Sequence, residues 1–320
     1  MGVHDAEPMT AAGIPKAHRS LLALGRSRIL SPVHVRSVLP LAALSLAACA
    51  NAPGLEAPDA VASQRAAVLF VERQQSDAPS ASAHVGARFV QYTGIDTAAL
   101  PDLIGFPRTT DGQTGCAVRS ENGVDAASGH AEARLLDVGA IDVRAGERSL
   151  HLEPRRFPDL WDVVSGVIYG TDSDWRPGTW HFTARGNAQS RVAAFELDAR
   201  APDDLTNVVV ADQPLVAGAT IAVSARAFGV RWSRGDTNDS VRVVFESVTS
   251  TAGTSSISCT ARDDGALDVD ATWADRIADA LRDGGRITAH RVRVHAITLP
   301  SMDAARVVFD LSLGATARVE

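Results

Sequence analysis

Lysine is nearly missing from this chain of 320 residues: Lys16 is the only one, and it lies near the N-terminus. Beyond it the permanent positive charges are all arginine. That excludes a Schiff-base lysine, a lysine-held pyridoxal phosphate and a phosphate-loop lysine from the body of the protein. Catalytic signatures are missing too. No Gly-x-Ser-x-Gly elbow is present, no Gly-x-Gly-x-x-Gly follows a strand, and no His-x-x-x-His or zinc-type motif occurs. The formal charge is −7, and five basic against two acidic residues in the first 48 leave −10 on the remainder. A mildly acidic body offers no basic face, so nucleic acid is excluded as a partner. Aromatics are only 5% of the residues, so any ring cluster stands out.

What is present begins with a leader. Arg36 precedes an apolar run from Val38 to Ala48, and Cys49 follows directly. A positive flank, a short apolar stretch and small residues at its end describe an export signal. The run is too short to span a bilayer, which takes ~20 apolar residues. Leu46-Ala47-Ala48-Cys49 resembles the lipobox of bacterial lipoproteins. The resemblance implies cleavage before Cys49, acylation of that cysteine and residence on the outer membrane, because Ala50 rather than aspartate follows it. Several acyl chains, at about 0.8 kcal/mol per buried CH2, hold a protein at a membrane. The leader is thus expected over 1–48, with a true start near residues 33–35 that would remove its unusually long front. An Ala- and Pro-rich tether follows over 49–64.

The remainder reads as mainly β. Short alternating segments recur with turn residues every 8–12 positions, the pattern of sandwiches and barrels. Arg200-Ala-Pro-Asp-Asp204 marks a break, giving one β-sandwich over 65–200 and a second over 201–320. In the second, alternation puts Phe228, Val230 and Trp232 on one face, with Val241, Val243 and Phe245, then Ile257, Cys259 and Ala261, then Leu267 and Val269. Asp263-Asp264-Gly265 suits a tight hairpin turn. One helix is expected over 272–283, from Trp273, Ile277 and Leu281, with Thr272 as its cap. The two halves resemble immunoglobulin-like or fibronectin type III-like modules. The Leu-Asp-Val-Gly-Ala-Ile stretch ending at Ile141, Gly178-Thr179-Trp180, and Cys259 with Asp263-Asp264-Gly265 resemble uncharacterised lipoproteins of GC-rich Gram-negative bacteria. That resemblance implies no activity.

Few residues are candidates for chemistry. Cys116 and Cys259 remain once Cys49 is assigned to lipid, and an oxidising envelope permits a disulfide between them; two buried thiols are the alternative. Trp161, Tyr169, Trp175, Trp180 and Phe182 concentrate the aromatics. Trp180 reads as core. Trp175, flanked by Asp172, Asp174 and Arg176, reads as a ring on a loop that stacks on sugars, or else as core. The acidic stretches Asp172/Asp174 and Asp236/Asn238/Asp239 lack the ligand spacing of a calcium loop and read as solvated turns. No metal or cofactor is implied. The histidines His84, His130, His151, His181, His290 and His295 are dispersed and read as strand or surface residues. These readings point to a membrane-anchored module, without catalysis, that binds or adheres to envelope proteins through loops or an exposed edge. A carbohydrate-binding lipoprotein using Trp175 and an unrecognised hydrolase are the alternatives. The latter would show itself as a pocket of converging polar groups with shifted pKa values.

Overall fold

The computed structural model describes residues 62–75, 82–97, 99–107, 114–120, 131–158, 164–247 and 255–320. The leader, Cys49, most of the tether, Trp161 and His130 lie outside the described residues.

The chain is mainly β. A hairpin of β1 (Gln64–Gln74) and β2 (Ser82–Thr93) opens it, followed by a one-turn helix α1 (Leu100–Ile104). Then come β3 (Gly115–Ser120), β4 (Glu132–Leu135), β5 (Ile141–Ala145), β6 (Arg148–Leu152), β7 (Pro154–Arg156), β8 (Val164–Asp174), β9 (Thr179–Ala184) and β10 (Phe195–Arg200). Past the break are β11 (Val209–Val210), β12 (Gln213–Pro214), β13 (Thr220–Val223), β14 (Phe228–Arg231), β15 (Ser240–Ser247), β16 (Ser255–Arg262) and β17 (Ala266–Val269). The helix α2 (Ala271–Ala280) and two long strands, β18 (Gly285–Ile297) and β19 (Ala304–Val319), complete the chain.

One 11-stranded sheet runs in the order β3-β16-β15-β18-β19-β1-β2-β4-β8-β7, with β13 added against β19. Two four-stranded sheets pack on its inner face, β10-β9-β5-β6 over one half and β12-β11-β14-β17 over the other. The break at residue 200 therefore falls where the chain leaves the first small sheet for the second. The large sheet ignores it. Strand β19 pairs in parallel with β1 along Ala304–Ser312 and with β13 along Thr316–Val319, while β18 flanks nearly all of it. Its inward residues Val307, Phe309 and Leu311 enter the first core, and Ala315 and Ala317 the second. The two sandwich halves thus share their back sheet, and residues 58–320 form one compact unit.

Alternation decides the faces, as expected of strands. Val230, Trp232, Val241, Val243, Phe245, Ile257, Cys259 and Val269 are all buried in the second core, with Phe228, Ala261 and Leu267 at its margin. Helix α2 lays Ala274, Ile277 and Leu281 on that core. Its cap is Asp270, whose carboxylate accepts the Trp273 amide at 2.9 Å, and not Thr272. Asp270 lies two residues ahead of Thr272, which is already inside the helix, and it brings a charged acceptor to the first turn.

Asp263-Asp264-Gly265 does not close a hairpin. It carries the chain from β16 in the large sheet to β17 in the small one. Asp263 turns inward and is fully buried, accepting Trp232 Nε1 at 2.6 Å and pairing with Arg291 Nε at 2.7 Å. The first half has a matching crossover. Tyr169 donates to Asp137 at 2.9 Å and accepts the Val138 amide at 2.8 Å, fixing the stretch that leads from β4 to β5.

Candidate functional site

The residues singled out from sequence do not assemble. Trp175 is 9% exposed and belongs to the first core, against Trp180 at 5.9 Å between ring centroids, with the Arg73 guanidinium 5.2 Å above it. A ring so covered cannot stack on a sugar, which corrects the platform reading. The reason is parity. Asp172 and Asp174 are still in β8, facing the opposite side of the sheet, and Trp175 is the next inward position. Trp180 is completely buried, donating to the Arg176 carbonyl at 3.0 Å, while Arg176 itself is exposed. Cys116 and Cys259 sit directly opposite each other on β3 and β16 and are bonded, with S–S 2.00 Å. Asp239 is no solvated turn. It is buried and held by Arg293 at 2.6 and 2.8 Å.

What the fold does gather is a row of polar side chains across the outer face of the large sheet. Register places Asp172, His84 and Glu72 side by side on β8, β2 and β1, then Asp310 on β19. His290 on β18 lies opposite Arg242 on β15 and one row beyond Asp310. Asp172, His84 and His290 are candidates in the sequence, but no local pattern aligns them, because strand order joins positions more than 200 residues apart.

Asp172, His84, Glu72, Asp310 and His290 line a groove of about 450 Å3, with Gln74, Ser82 and Ser312 beside them and Arg242 behind Asp310. The placing of His84 depends on glycine. Gly86 and Gly170 are direct partners on β2 and β8. A Cβ on Gly86 would fall 2.3 Å from the Phe70 ring, and one on Gly170 3.1 Å from the His84 imidazole. Their bare backbones let both rings lie over the sheet, 6.0 Å apart, with the Arg88 guanidinium 5.3 Å from Phe70.

Electrostatically the groove has one settled carboxylate and one unsettled. Asp310 accepts from His290 Nδ1 at 2.7 Å and from Arg242 at 3.2 Å. Burial pushes its carboxyl up, but His290 and Arg242 together outweigh that and hold it below the usual carboxylate range. Glu72 is half-buried, and among the described residues nothing hydrogen-bonds its carboxylate. Burial, then the neighbouring Asp310, push it above the ordinary glutamate value against the pull of His84, Arg88 and His290. Desolvated charge without a partner costs stability. Glu72→Gln is therefore expected to raise Tm at pH 7. The gain is full above the raised folded value and vanishes below the ordinary one, where Glu72 is protonated in both states. Melting curves between pH 4 and 8 check this; a drop in Tm at pH 7 contradicts it.

The composition of a hydrolytic triad is present, since Ser312 lies opposite His290 and two residues from Asp310. It is not wired as one. Ser312 donates its hydroxyl to the Arg73 carbonyl at 3.3 Å, and no hydrogen bond joins it to His290. Among the described residues no group of three or more His, Cys, Asp or Glu is arranged to hold a metal ion, and no helix is long and apolar enough to cross a membrane. No protein-family model matches the chain, and no curated protein matches it.

Proposed function

We propose that this protein is a lipid-anchored envelope module, held at Cys49 on the outer membrane, that binds a ligand or partner in the outer-face groove and performs no catalysis on it. The anchor rests on the positive flank, the apolar run and Leu46-Ala47-Ala48-Cys49. The binding role rests on one observation: Glu72 is kept half-buried and, among the described residues, without a hydrogen-bond partner in a groove where Asp310 and Asp172 are each paired with histidine. A fold that tolerates such a group at a cost is the pattern of a binding site. The groove stands on a continuous sheet, a rigid base for a preformed site.

Two measurements test this. In its native host the wild-type chain should carry acyl mass on Cys49 and partition with membranes, while Cys49→Ala should keep its leader and show no acyl mass. Intact mass spectrometry reads both; an unmodified Cys49 in the mature protein overturns the anchor. For the groove, a photo-crosslinking side chain at Ser82 or Gln74 should capture envelope material in cells, and one at Thr183, on the outer side of the first small sheet, should not. Equal capture at both places overturns the site.

A further inference from the structure

We infer that the groove takes a primary-ammonium group, as on an amino sugar, a diamine or a peptide N-terminus, with Glu72 as its counter-ion. This rests on the reading of the groove as a binding site and adds the class of ligand.

The charged donors beside Glu72 are turned to other partners, which leaves the neutral groups of Gln74 and Ser82 as donors of the lining. Arg242 is committed to Asp310. Arg88 gives its Nη1 to the carbonyls of Ala87 and Tyr169 at 2.9 and 2.6 Å. His290 Nδ1 faces Asp310, and His84 Nδ1 faces Asp172 at 2.9 Å. The acceptors are not spent. Among the described residues no donor reaches the Glu72 carboxylate. Asp172 uses one oxygen on His84 and is largely exposed. Ser312 has given its only hydrogen to the Arg73 carbonyl, so its oxygen faces a ligand as an acceptor. A ligand that completes this set must be rich in donors. An anion would meet Glu72 and Asp172 as like charges. A neutral polyol satisfies the acceptors but leaves the Glu72 charge uncompensated. An ammonium brings three donors and no acceptor, together with the missing positive charge.

Proton linkage follows from the same groups. Glu72 is faced by Asp310, His290, His84, Arg88 and Asp172. An ammonium binds only its ionised form. Because burial lifts Glu72, binding should fade at a higher pH than an ordinary carboxylate would allow.

The test is isothermal titration of the full-length chain at pH 7.5. The probes are glucosamine, 1,4-diaminobutane and alanyl-alanine, with glucose and N-acetylglucosamine as neutral controls. At least one amine should bind, and which one does separates sugar, diamine and peptide sources. Glu72→Gln should weaken that binding at least about tenfold, Glu72→Asp should restore part of it, and Thr183→Ala should leave it within about twofold, since that residue is on another sheet. The Glu72→Gln protein is expected to fold, so lost binding is not lost structure. If glucose or N-acetylglucosamine binds as well as the amines, the ammonium assignment is overturned while the groove stands. If no amine binds, or if Glu72→Gln binds as the wild type does, the assignment is overturned, and crosslinking from Ser82 judges the groove separately.

Discussion

Asp263→Ala or Arg291→Met should each destabilise the protein by about 3–5 kcal/mol, the usual cost of leaving one partner of a buried ion pair unpaired. Both side chains are essentially inaccessible, at 0% and 2% exposure. Arg291 uses its whole fork. Nη1 donates to the carbonyls of Asp203 and Asp204 at 3.1 and 2.6 Å, Nη2 to Ser233 at 2.6 Å and to Asp263, and Nε faces Asp263 as well. Gly235 makes room, because a Cβ there would fall 2.2 Å from Asp263 Oδ2. Two residues on, Arg293 donates to the Ala201 carbonyl at 3.2 Å, and His295 Nε2 donates to that of Arg200 at 2.8 Å. The stretch 200–204, which looks in sequence like an interdomain linker, is thus stapled along β18. Losing the clamp should loosen that stretch along with both small sheets. Denaturant titration gives the magnitude, and hydrogen exchange at 200–206 gives the location. The double variant should cost clearly less than the two single changes added together, since an apolar pair leaves no orphan charge. Single variants within about 1 kcal/mol of wild type would show that the pair is dispensable.

That clamp also marks what a sequence can disclose. The face of almost every strand was readable, because side-chain parity is local and burial of one face enforces it. Val241, Val243 and Phe245 need only their own alternation to be assigned inward. The lengths of β18 and β19 were not readable. Gly284-Gly285 reads as a helix stop, although Gly285 already opens β18. The run Ser312 to Thr316 has Gly314 in its middle and no β-branched residue before Thr316, so its strand signal is weak; it is held because β18 flanks it throughout and β13 joins at Thr316. Strands β4 and β7, at four and three residues, are too short for alternation to mark them. Partner choice was hidden altogether. Glu72 and Asp310 meet only because β19 returns to lie parallel to β1, and no local pattern encodes that. The groove was invisible in consequence, whereas Trp175 drew attention through its polar neighbours, which turn out to occupy the other side of the sheet.

Removing the disulfide, as Cys116→Ala with Cys259→Ala, should cost about 2–5 kcal/mol. The two cysteines are 143 residues apart, so the bond closes a long loop in the unfolded chain and restricts it strongly. In the folded state it acts at a weak point. Strand β3 is the end of the large sheet, with β16 its only neighbour among the described residues, and its Val118 is 53% exposed. Such an edge is held by one ladder of hydrogen bonds and little apolar burial. Reduction should therefore release β3 first. Hydrogen exchange on Ala117 and Arg119 should accelerate, while β15 and β18, buried within the sheet, keep their protection. The groove should be spared, because Arg242 lies on β15 and β16 still shields that strand. The measurement bears on location as well. A protein that draws several kcal/mol from a sulfur–sulfur bond is suited to an oxidising compartment and would be weakened in a reducing one. If the reduced and oxidised forms melt alike, the bond contributes nothing, and the case for the envelope returns to the leader alone.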